Sequence, residues 1–499
     1  MEGKTSILRG AILLTATNLF LRLVSIGFNV FLTEQIGASG LGLLQLISTV
    51  SIFALVVGSS GVRVAAMFLS AEEFGHRRLG GVRAAMSACL TYGMVLSTMV
   101  GVATFFLSDF LASSWLGDPR AAMSIRCMGI FLPFTCLCGI MTGYFTACSR
   151  IRQLVVIEIA ERLLSLGLTA FLLLTWARGD LERSCCAILL GSSLGAVADY
   201  FLLYVMYRRD MAGIPTDRTL NMRARLFKVS IPLALNDYLR SGLNTVEQLL
   251  IPYGLARYGG STEEAMGAYG TIHAMVFPVL MFPAAVLYAL ADLLVPELSR
   301  AKAMGRRLRI LDLTDKCLRL TFLFASAVAG FLFVSADTLG LRLYGSPEAG
   351  HYLRLFAPMV LMLYLDAITD GMLKGLAEQV SCVRYNTLTN AMDVVLLFLL
   401  LPRFGITAYI LTYLITHAVN LILSLRRLLR VTGHRFHPGE LCRPFLCLLL
   451  SVSLSLCLPV ASLRGFYFLI LLLSSFTLWN ATKRQDRLWL KKVLQANRR

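Results

Sequence analysis

The amino-acid sequence predicts an all-α membrane protein that crosses the bilayer about fourteen times. Hydrophobic residues make up 57% of the 499 residues, charged residues make up only 15%, and the mean hydropathy is +0.70. A soluble domain is about 45–50% apolar and about 25% charged, so this composition excludes a soluble globular protein. The apolar stretches have the length, about 20 residues, that an α-helix needs to cross a hydrocarbon core about 30 Å thick.

Each predicted span is an apolar stretch between short charged connectors. The fourteen spans are predicted at 7–32, 41–69, 84–108, 122–146, 155–176, 184–206, 226–253, 267–295, 317–336, 352–373, 385–401, 404–425, 442–459 and 463–482. No connector is long enough to hold a separate domain. The function is therefore expected to lie among the helices.

The net charge of +18, from 47 Lys and Arg against 29 Asp and Glu, is interpreted as a signal of membrane orientation. Basic residues concentrate in both tails and in the connectors after even-numbered spans, whereas the opposite connectors carry isolated Arg residues. Because basic loops stay in the cytoplasm, both termini are predicted to be cytoplasmic. The basic tail 483–499 is predicted to contact anionic membrane lipids, and no nucleic-acid partner is expected.

Cysteines and short motifs give no signal of catalysis. The twelve Cys lie mostly inside apolar segments and include no CxxC pair, so they are predicted to be buried apolar side chains without disulfides or a metal site. The sequence has no P-loop and no HExxH motif. The protein is therefore predicted not to be an enzyme.

Two matches within the chain predict an internal repeat. Asn18 and Arg22 in the first span match Asn236 and Arg240 in the seventh, at an offset of 218 positions. Arg126 and Gly143 of the fourth span match Arg354 and Gly371 of the tenth, at an offset of 228. Six spans in each unit would make the two halves parallel repeats related by an axis along the membrane normal. Spans thirteen and fourteen would then be an addition.

Polar residues in the first and seventh spans each follow helical spacing. Asp237, Arg240, Asn244 and Glu247 lie three, four and three positions apart, so they share one face of a helix. The first span has a similar stripe formed by Asn18, Arg22, Ser25 and Asn29. A charge at the bilayer centre costs at least about 2.5–3.5 kcal/mol, so these stripes are predicted to line a shared polar cavity. The alternative is that Asp237 and Arg240 form an ion pair within one helix.

The sequence allows more than one role for other intramembrane polar residues. Arg63 either lines the cavity or extends to the membrane surface, and His273 is either a packing residue or a proton relay. Asp366 is deep in the tenth span and is a candidate functional residue, whereas Asp370 and Lys374 are expected to form an interfacial pair.

Several short motifs resemble those of the multidrug/oligosaccharidyl-lipid/polysaccharide (MOP) exporter superfamily. They include LRGAILLTA at 8–16, IGASGLGLLQ at 36–45 and IPYGL at 251–255. Further matches are AYG at 268–270, FP at 282–283, LVPEL at 294–298, LFAPM at 355–359 and DGMLKGL at 370–376. The chain is most similar to the stage V sporulation protein B and polysaccharide biosynthesis branch, which is related to lipid II flippases.

The resemblance implies two lobes around a cavity that opens alternately to each side of the membrane. The lobes would be residues 1–210 (spans one to six) and 211–430 (spans seven to twelve), followed by two extra spans and a basic tail at 431–499. Relatives typically carry basic residues where this chain has Asn29 and Glu34. The cavity is therefore expected to be less cationic than that of a lipid II flippase.

Together these observations predict a flippase in the bacterial cytoplasmic membrane. Its substrate would be a lipid-linked oligosaccharide or a peptidoglycan precursor. The alternatives are a cation-coupled multidrug exporter of the same superfamily and a membrane-embedded glycan polymerase or acyltransferase. The chain is expected to act as a monomer, without a cofactor but with possible coupling to Na⁺ or H⁺. The substrate-binding candidates are Arg22, Arg63, Arg240, Asn18, Asn29 and Asn236, and the coupling candidates are Glu247, Asp237 and Asp366.

Overall fold

The protein is built from long α-helices. The computed structural model describes residues 2–482 except 149, 178, 216, 218–220, 260, 434–438 and 459–462, and it leaves the side chains of 2–18, 151–152, 439–445 and 475–482 undescribed. The first seven helices are α1 (Glu2–Ser59), α2 (Val62–Gly75), α3 (Leu79–Phe106), α4 (Ser108–Phe110), α5 (Ala122–Ala147), α6 (Ile151–Leu172) and α7 (Leu181–Asp210).

The second half continues in the same way. Its helices are α8 (Met222–Tyr258), α9 (Thr262–Gly270), α10 (Phe277–Met281), α11 (Ala284–Ala303), α12 (Arg307–Tyr344), α13 (Pro347–Phe356), α14 (Val360–Gly375), α15 (Gln379–Thr432), α16 (Gly439–Leu456) and α17 (Arg464–Thr482). π-Helical turns at Leu111–Leu116, Leu173–Ala177 and Thr271–Val276 lie between some of them.

The helices confirm the predicted all-α membrane fold. Within the described residues, seven helices are long and apolar enough to cross a membrane, or eight if the pair bent by 57° after Met281 is one span. Two of the seven are interrupted, at Gly37 (φ 69°) in α1 and at Gly405 (φ 55°) in α15, and each covers two neighbouring predicted spans. Glycine is favoured at both breaks because other residues rarely adopt a positive φ. α6 and α8 carry charged residues along their length, which lowers their hydropathy.

Helix ends recur at the offset that the sequence repeat predicts. Four of them reappear 228 positions further on: Gly75 with Ala303, Leu79 with Arg307, Ala147 with Gly375, and Ile151 with Gln379. In both copies a left-handed glycine, Gly117 or Gly345, ends a helical segment, and a proline begins the next one two residues later. The two halves therefore share the positions of these helix ends.

One ion pair also occurs in both halves. Arg126 pairs with Asp109, and at the same offset Arg354 pairs with Asp337. The two repeat-related glycines also pack alike, since a Cβ on Gly143 would meet Arg63 of α2, and one on Gly371 would meet the equivalent residue, Ala291 of α11. The sequence matches at Arg354 and Gly371 thus reflect repeated contacts.

By their contacts the helices divide into two compact units. Unit 1 comprises residues 1–274 and 390–412, and unit 2 comprises residues 275–389 and 413–499. In unit 1, α2, α3, α5 and α7 surround an apolar core that includes Val82, Ile140 and Phe145. In unit 2, α16 and α17 pack on α12, where Phe468 is fully buried beside Val334. The lobe limits predicted at 210 and 430 stay a prediction.

Glycines allow α1 and α9 to pack closely within unit 1. A Cβ on Gly270 would lie 2.1 Å from the carbonyl oxygen of Ala38 and 2.5 Å from the amide nitrogen of Gly42. A Cβ on Gly42 would in turn lie 2.2 Å from the carbonyl oxygen of Met266. The close approach of these two helices therefore requires residues without side chains.

We expect Gly270→Ala to destabilise the protein by about 1–3 kcal/mol, because the added methyl group overlaps the backbone of α1. The matched control is Gly267→Ala in the same helix, where no atom lies within 4 Å of the added Cβ. That control should be neutral or stabilising, since alanine is the better helix former. Thermal unfolding of both purified variants measures the difference, and equal melting temperatures would contradict the close-packing argument.

Candidate functional site

α8, which carries the predicted polar stripe, packs against α1 and α2 in unit 1. The Tyr238 hydroxyl lies 2.8 Å from Ser60 Oγ and 3.2 Å from the carbonyl oxygen of Val57. The chain breaks between α1 and α2 at Ser60 and Gly61, both with positive φ, and a Cβ on Gly61 would lie 3.0 Å from the carbonyl oxygen of Ser230. The break between α1 and α2 thus packs against the first half of α8.

The predicted site residues on α8 differ in exposure. Asn236 and Arg240 are exposed, whereas Asp237 and Glu247 are half-buried. No ion pair within 4.0 Å joins Asp237 to Arg240 in the described part of the chain, so the alternative of a structural pair within this helix is not observed. The stripe therefore presents separate charged groups.

The stripe on α1 gains a second guanidinium group from α6. Arg162 Nη2 donates to Ser25 Oγ at 3.0 Å, and Ser25 lies three positions after Arg22 on α1. Arg22 is half-buried, and Arg162 is exposed. Sequence reasoning missed Arg162, because only the packing of α1 with α6 brings it to this stripe. The first stripe position, Asn18, lies among the side chains outside the described residues.

Asn29, the last residue of the α1 stripe, contacts the π-helical turn after α9. Asn29 Nδ2 donates to the carbonyl oxygen of Ala274 at 3.1 Å. His273 precedes Ala274 in the sequence, and its Nε2 lies 3.1 Å from the Tyr409 hydroxyl. His273 therefore has a hydrogen-bond partner inside unit 1. Arg63, the remaining basic candidate, is exposed at the start of α2.

Glu247 lies in a polar neighbourhood of unit 1. Its neighbour Gln248 accepts a hydrogen bond from the Tyr269 hydroxyl at 2.7 Å. Asp393 is only 6% exposed and is close enough for its charge to act on Glu247. Two carboxylates that share one buried region repel each other unless a proton or a cation is present. Asp393 could not be assigned from sequence, since α8 and α15 are far apart in the chain.

Asp366 belongs to unit 2, where it joins a second polar cluster. Asp366 Oδ2 accepts from Asn420 Nδ2 at 2.7 Å. One turn further along α14, Asp370 Oδ2 accepts from Asn386 Nδ2 at 3.3 Å. The expected interfacial pair of Asp370 with Lys374 is wrong, because the ion pairs of the described residues do not include it. Gly405 divides α15 into two arms, and Asn386 of the first arm donates its amide hydrogen bond to Asp370 instead.

An ion pair joins the ends of the two arms of α15 beside this cluster. Arg427 donates to both carboxylate oxygens of Glu378, with Nη2 2.9 Å from Oε2. These hydrogen bonds hold the pKa of Glu378, which lies in the connector before α15, below its ordinary value. The ion pair therefore stabilises the folded protein at neutral pH, and this stabilisation is lost as the pH falls through the lowered pKa of Glu378.

The start of α8 is tied to α2 by a branched ion pair. Arg225 Nη2 lies 2.6 Å from Glu72 Oε2, and Arg225 Nη1 lies 2.7 Å from Glu73 Oε1. The Glu73 side chain is only 2% exposed, whereas that of Glu72 is 41% exposed. Arg225 therefore neutralises a buried carboxylate at the point where α8 begins.

Long apolar helices with charged faces define a multi-pass membrane protein, and the comparisons with known proteins identify its family. Residues 7–302 match the family model described as polysaccharide biosynthesis protein, and the chain belongs to this family. It is 22% identical to stage V sporulation protein B of Bacillus subtilis over 389 residues, which cover 75% of this chain and 74% of that protein. It is also 22% identical to sporulation protein YkvU of the same organism, over 73% of this chain and 82% of that one.

Solved structures share the fold at low sequence identity. The lipid II flippase MurJ in an inward closed conformation superposes with a TM-score of 0.74 at 11% identity, covering 94% of this chain and 98% of that chain. An inward-facing multidrug resistance MATE family transporter of the MOP superfamily gives a TM-score of 0.62 at 14% identity, covering 83% and 96%. The predicted membership of the polysaccharide biosynthesis family is confirmed, and the chain is a multi-pass membrane protein that shares its fold with these solved structures.

We expect Arg225→Met to destabilise the protein by about 3 kcal/mol, because it leaves the buried Glu73 carboxylate without a counter-charge. Glu72→Gln, which removes an exposed partner of the same arginine, should change stability by less than about 1 kcal/mol. Thermal unfolding of both variants measures the contrast. The double variant Arg225→Met with Glu73→Gln should recover much of the loss, and equal effects of Arg225→Met and Glu72→Gln would contradict the assignment.

Proposed function

We propose that this protein is a flippase that moves a lipid-linked oligosaccharide or a peptidoglycan precursor across the cytoplasmic membrane. The observation that carries the proposal is a pair of polar stripes in unit 1, one on the part of α1 before Gly37 and one on α8, in a chain of the polysaccharide biosynthesis family. Such a substrate has a polar anionic headgroup, which cannot cross hydrocarbon unaided, and a lipid tail, which can stay in the bilayer.

Guanidinium groups on α1, α6 and α8 suit a phosphate-bearing headgroup. Arg22, Arg162 and Arg240 carry planar groups that can bind phosphate oxygens through two parallel hydrogen bonds. Asn18, Asn29 and Asn236 add amide donors for sugar or phosphate oxygens, and Arg63 is a further basic candidate. In this proposal the headgroup binds among these side chains while the lipid tail remains in the membrane.

The energy for transport would come from an ion or from the membrane potential. An inside-negative potential favours outward movement of an anionic headgroup, with about 2.3 kcal/mol per charge per 100 mV. The return of positively charged helices against that field needs a counter-charge. Glu247, Asp237 and Asp366 are the candidate carboxylates, and Glu247 on the stripe of Arg240 is the one we propose to bind Na⁺ or H⁺ during the cycle.

The first test replaces the arginines of the stripes. In vesicles that contain purified protein, Arg22→Ala and Arg240→Ala should each reduce flipping of a lipid-linked sugar diphosphate by about tenfold or more, because each loses about 1.4 kcal/mol or more of charge-assisted hydrogen bonding. Lysine at either position should restore only part of the rate, since it lacks the planar fork. The matched control is Arg257→Ala on α8, whose guanidinium lies over the Tyr253 ring, 4.9 Å from its centroid.

Protein abundance and melting temperature accompany each rate in this test. Loss of folded protein in both stripe variants would favour a structural role for the two arginines. Efflux of a cationic dye with no flipping of the lipid-linked sugar would favour the multidrug exporter instead, and activity in neither assay would contradict both transport proposals.

The second test concerns the coupling carboxylate. We expect flipping by the native protein to depend on an imposed Na⁺ or H⁺ gradient, and Glu247→Gln to abolish that dependence while the response to membrane potential remains. Glu263→Gln, which removes an exposed carboxylate in the first turn of α9, is the matched control. Identical responses of the native protein and Glu247→Gln to potential, Na⁺ and pH would refute the coupling role.

A further inference from the structure

α5 and α7 of unit 1 pack side by side. Cys138 Sγ of α5 lies 2.8 Å from Asp199 Oδ2 of α7. Further along both helices, the ring centroids of Tyr144 and Tyr207 are 5.0 Å apart. These partners are 61 and 63 positions apart in the sequence, so the two helices run parallel and keep nearly the same register.

The same register brings two cysteines together near the start of both helices. Cys127 precedes Cys138 by eleven positions, about three helical turns, so both thiols lie on one face of α5. Cys186 of α7 follows Cys127 by 59 positions, close to the register of the later contacts. The Cys127 and Cys186 side chains are hydrogen-bonded to each other. Both are free thiols, and they are only 9% and 4% exposed.

From this geometry we infer that Cys127 and Cys186 are a redox-active pair that forms a reversible disulfide between α5 and α7. A disulfide needs Cβ atoms about 3.5–4.5 Å apart. Thiols that share a hydrogen bond are close enough for side-chain rotation to bring the two sulfur atoms to bonding distance. Because α5 and α7 belong to one compact unit, the bond needs no rearrangement of that unit.

The position of the pair suits a disulfide. Each cysteine lies five residues after the first residue of its helix, Ala122 of α5 or Leu181 of α7. At a rise of 1.5 Å per residue, both thiols are about 7.5 Å from a helix start. The sequence predicts that both starts are on the outer side of the membrane, because the connectors before them carry only isolated Arg residues. Disulfides persist outside the cell, whereas cytoplasmic thiols are kept reduced.

A small-molecule disulfide, such as oxidised glutathione, is the oxidant of this reaction. Cys127, the more exposed thiol, loses its proton and attacks one sulfur of the small disulfide, so that a mixed disulfide forms and one small thiol leaves. Cys186 then loses its proton and attacks the Cys127 sulfur, which releases the second small thiol. The two cysteines together lose two protons and two electrons, and the small disulfide gains them as two thiols.

Neighbouring cysteines supply internal controls. Cys185 is fully buried beside Cys186 in the sequence, and it interacts electrostatically with Asp118 and Arg120 of the connector before α5. Cys138 contacts a carboxylate, not a thiol. We therefore expect neither of these two cysteines to replace a member of the pair.

The test uses the full-length purified protein, treated either with oxidised glutathione or with dithiothreitol and then alkylated. Mass spectrometry of proteolytic peptides identifies linked cysteines, and thermal unfolding measures stability. We expect a Cys127–Cys186 link in the oxidised native protein and its loss in dithiothreitol. The linked form should melt about 2 °C or more above the reduced form, because the bond restricts the unfolded chain.

Variants show which thiols form the bond. Cys127→Ala and Cys186→Ala should each lose both the link and the oxidant-dependent rise in melting temperature. Cys185→Ala is the matched control, because it removes the adjacent buried thiol and should keep both effects. The native protein alone decides whether the link forms, so the test remains valid if a variant fails to fold.

The inference is wrong if the oxidised native protein contains no Cys127–Cys186 link, or if glutathione remains as a separate adduct on each cysteine. It is equally wrong if Cys185→Ala loses the link, or if Cys127→Ala keeps the oxidant-dependent rise in melting temperature. These measurements do not involve transport. A protein that forms the link and flips no lipid-linked sugar would refute the proposed function and leave the thiol pair intact.

Discussion

A charged group inside a membrane protein needs a counter-charge, a hydrogen-bond partner or water, because hydrocarbon provides none of them. The polar side chains of this protein are arranged by that constraint. Arg225 binds the buried Glu73 where α8 begins, and Arg427 binds Glu378 where the arms of α15 end. The same requirement explains why the repeated arginines, Arg126 and Arg354, each pair with an aspartate seventeen positions earlier. The polar groups outside these ion pairs are the candidates for function.

The internal repeat separates structural from functional polar residues. Features that recur at 228 positions, such as the glycine before each proline and the arginine–aspartate pair, belong to the helical plan that both halves share. The hydrogen bonds that Asp366 and Asp370 accept in unit 2 have no equivalent acceptors at the repeat offset, where the first half has Cys138 and Thr142. Divergence between two copies of one plan therefore points to a specialised role for the second copy.

The two polar regions have different properties that suit different tasks. The stripes on α1 and α8 carry exposed or half-buried guanidinium and amide groups, which suit reversible binding of a large anionic headgroup. The polar cluster of unit 2, formed by Asp366, Asp370, Asn386 and Asn420, carries carboxylate and amide groups that hydrogen-bond to one another. Guanidinium groups thus belong to the stripes, whereas the unit 2 cluster holds carboxylates and amides.

The sequence by itself determined the membrane class, the all-α fold, the family and the internal repeat. These properties follow from local patterns: twenty-residue apolar stretches, short family motifs and repeated positions such as Arg126 with Arg354. Helical spacing also placed Asp237, Arg240 and Glu247 on one face. The partners of these side chains were not predictable, because each partner comes from a helix far away in the chain.

Only the tertiary structure decided which polar groups meet. It brought Arg162 to Ser25, paired Asp370 with Asn386 where Lys374 had been expected, and joined Asn420 to Asp366 across 54 positions of sequence. Helix spacing fixes the face on which a side chain lies, but the packing of one helix on another fixes the neighbour that it meets. For this reason the stripes were visible in the sequence, whereas the unit 2 cluster of Asp366, Asp370, Asn386 and Asn420 became visible only in the packing of α14 on α15.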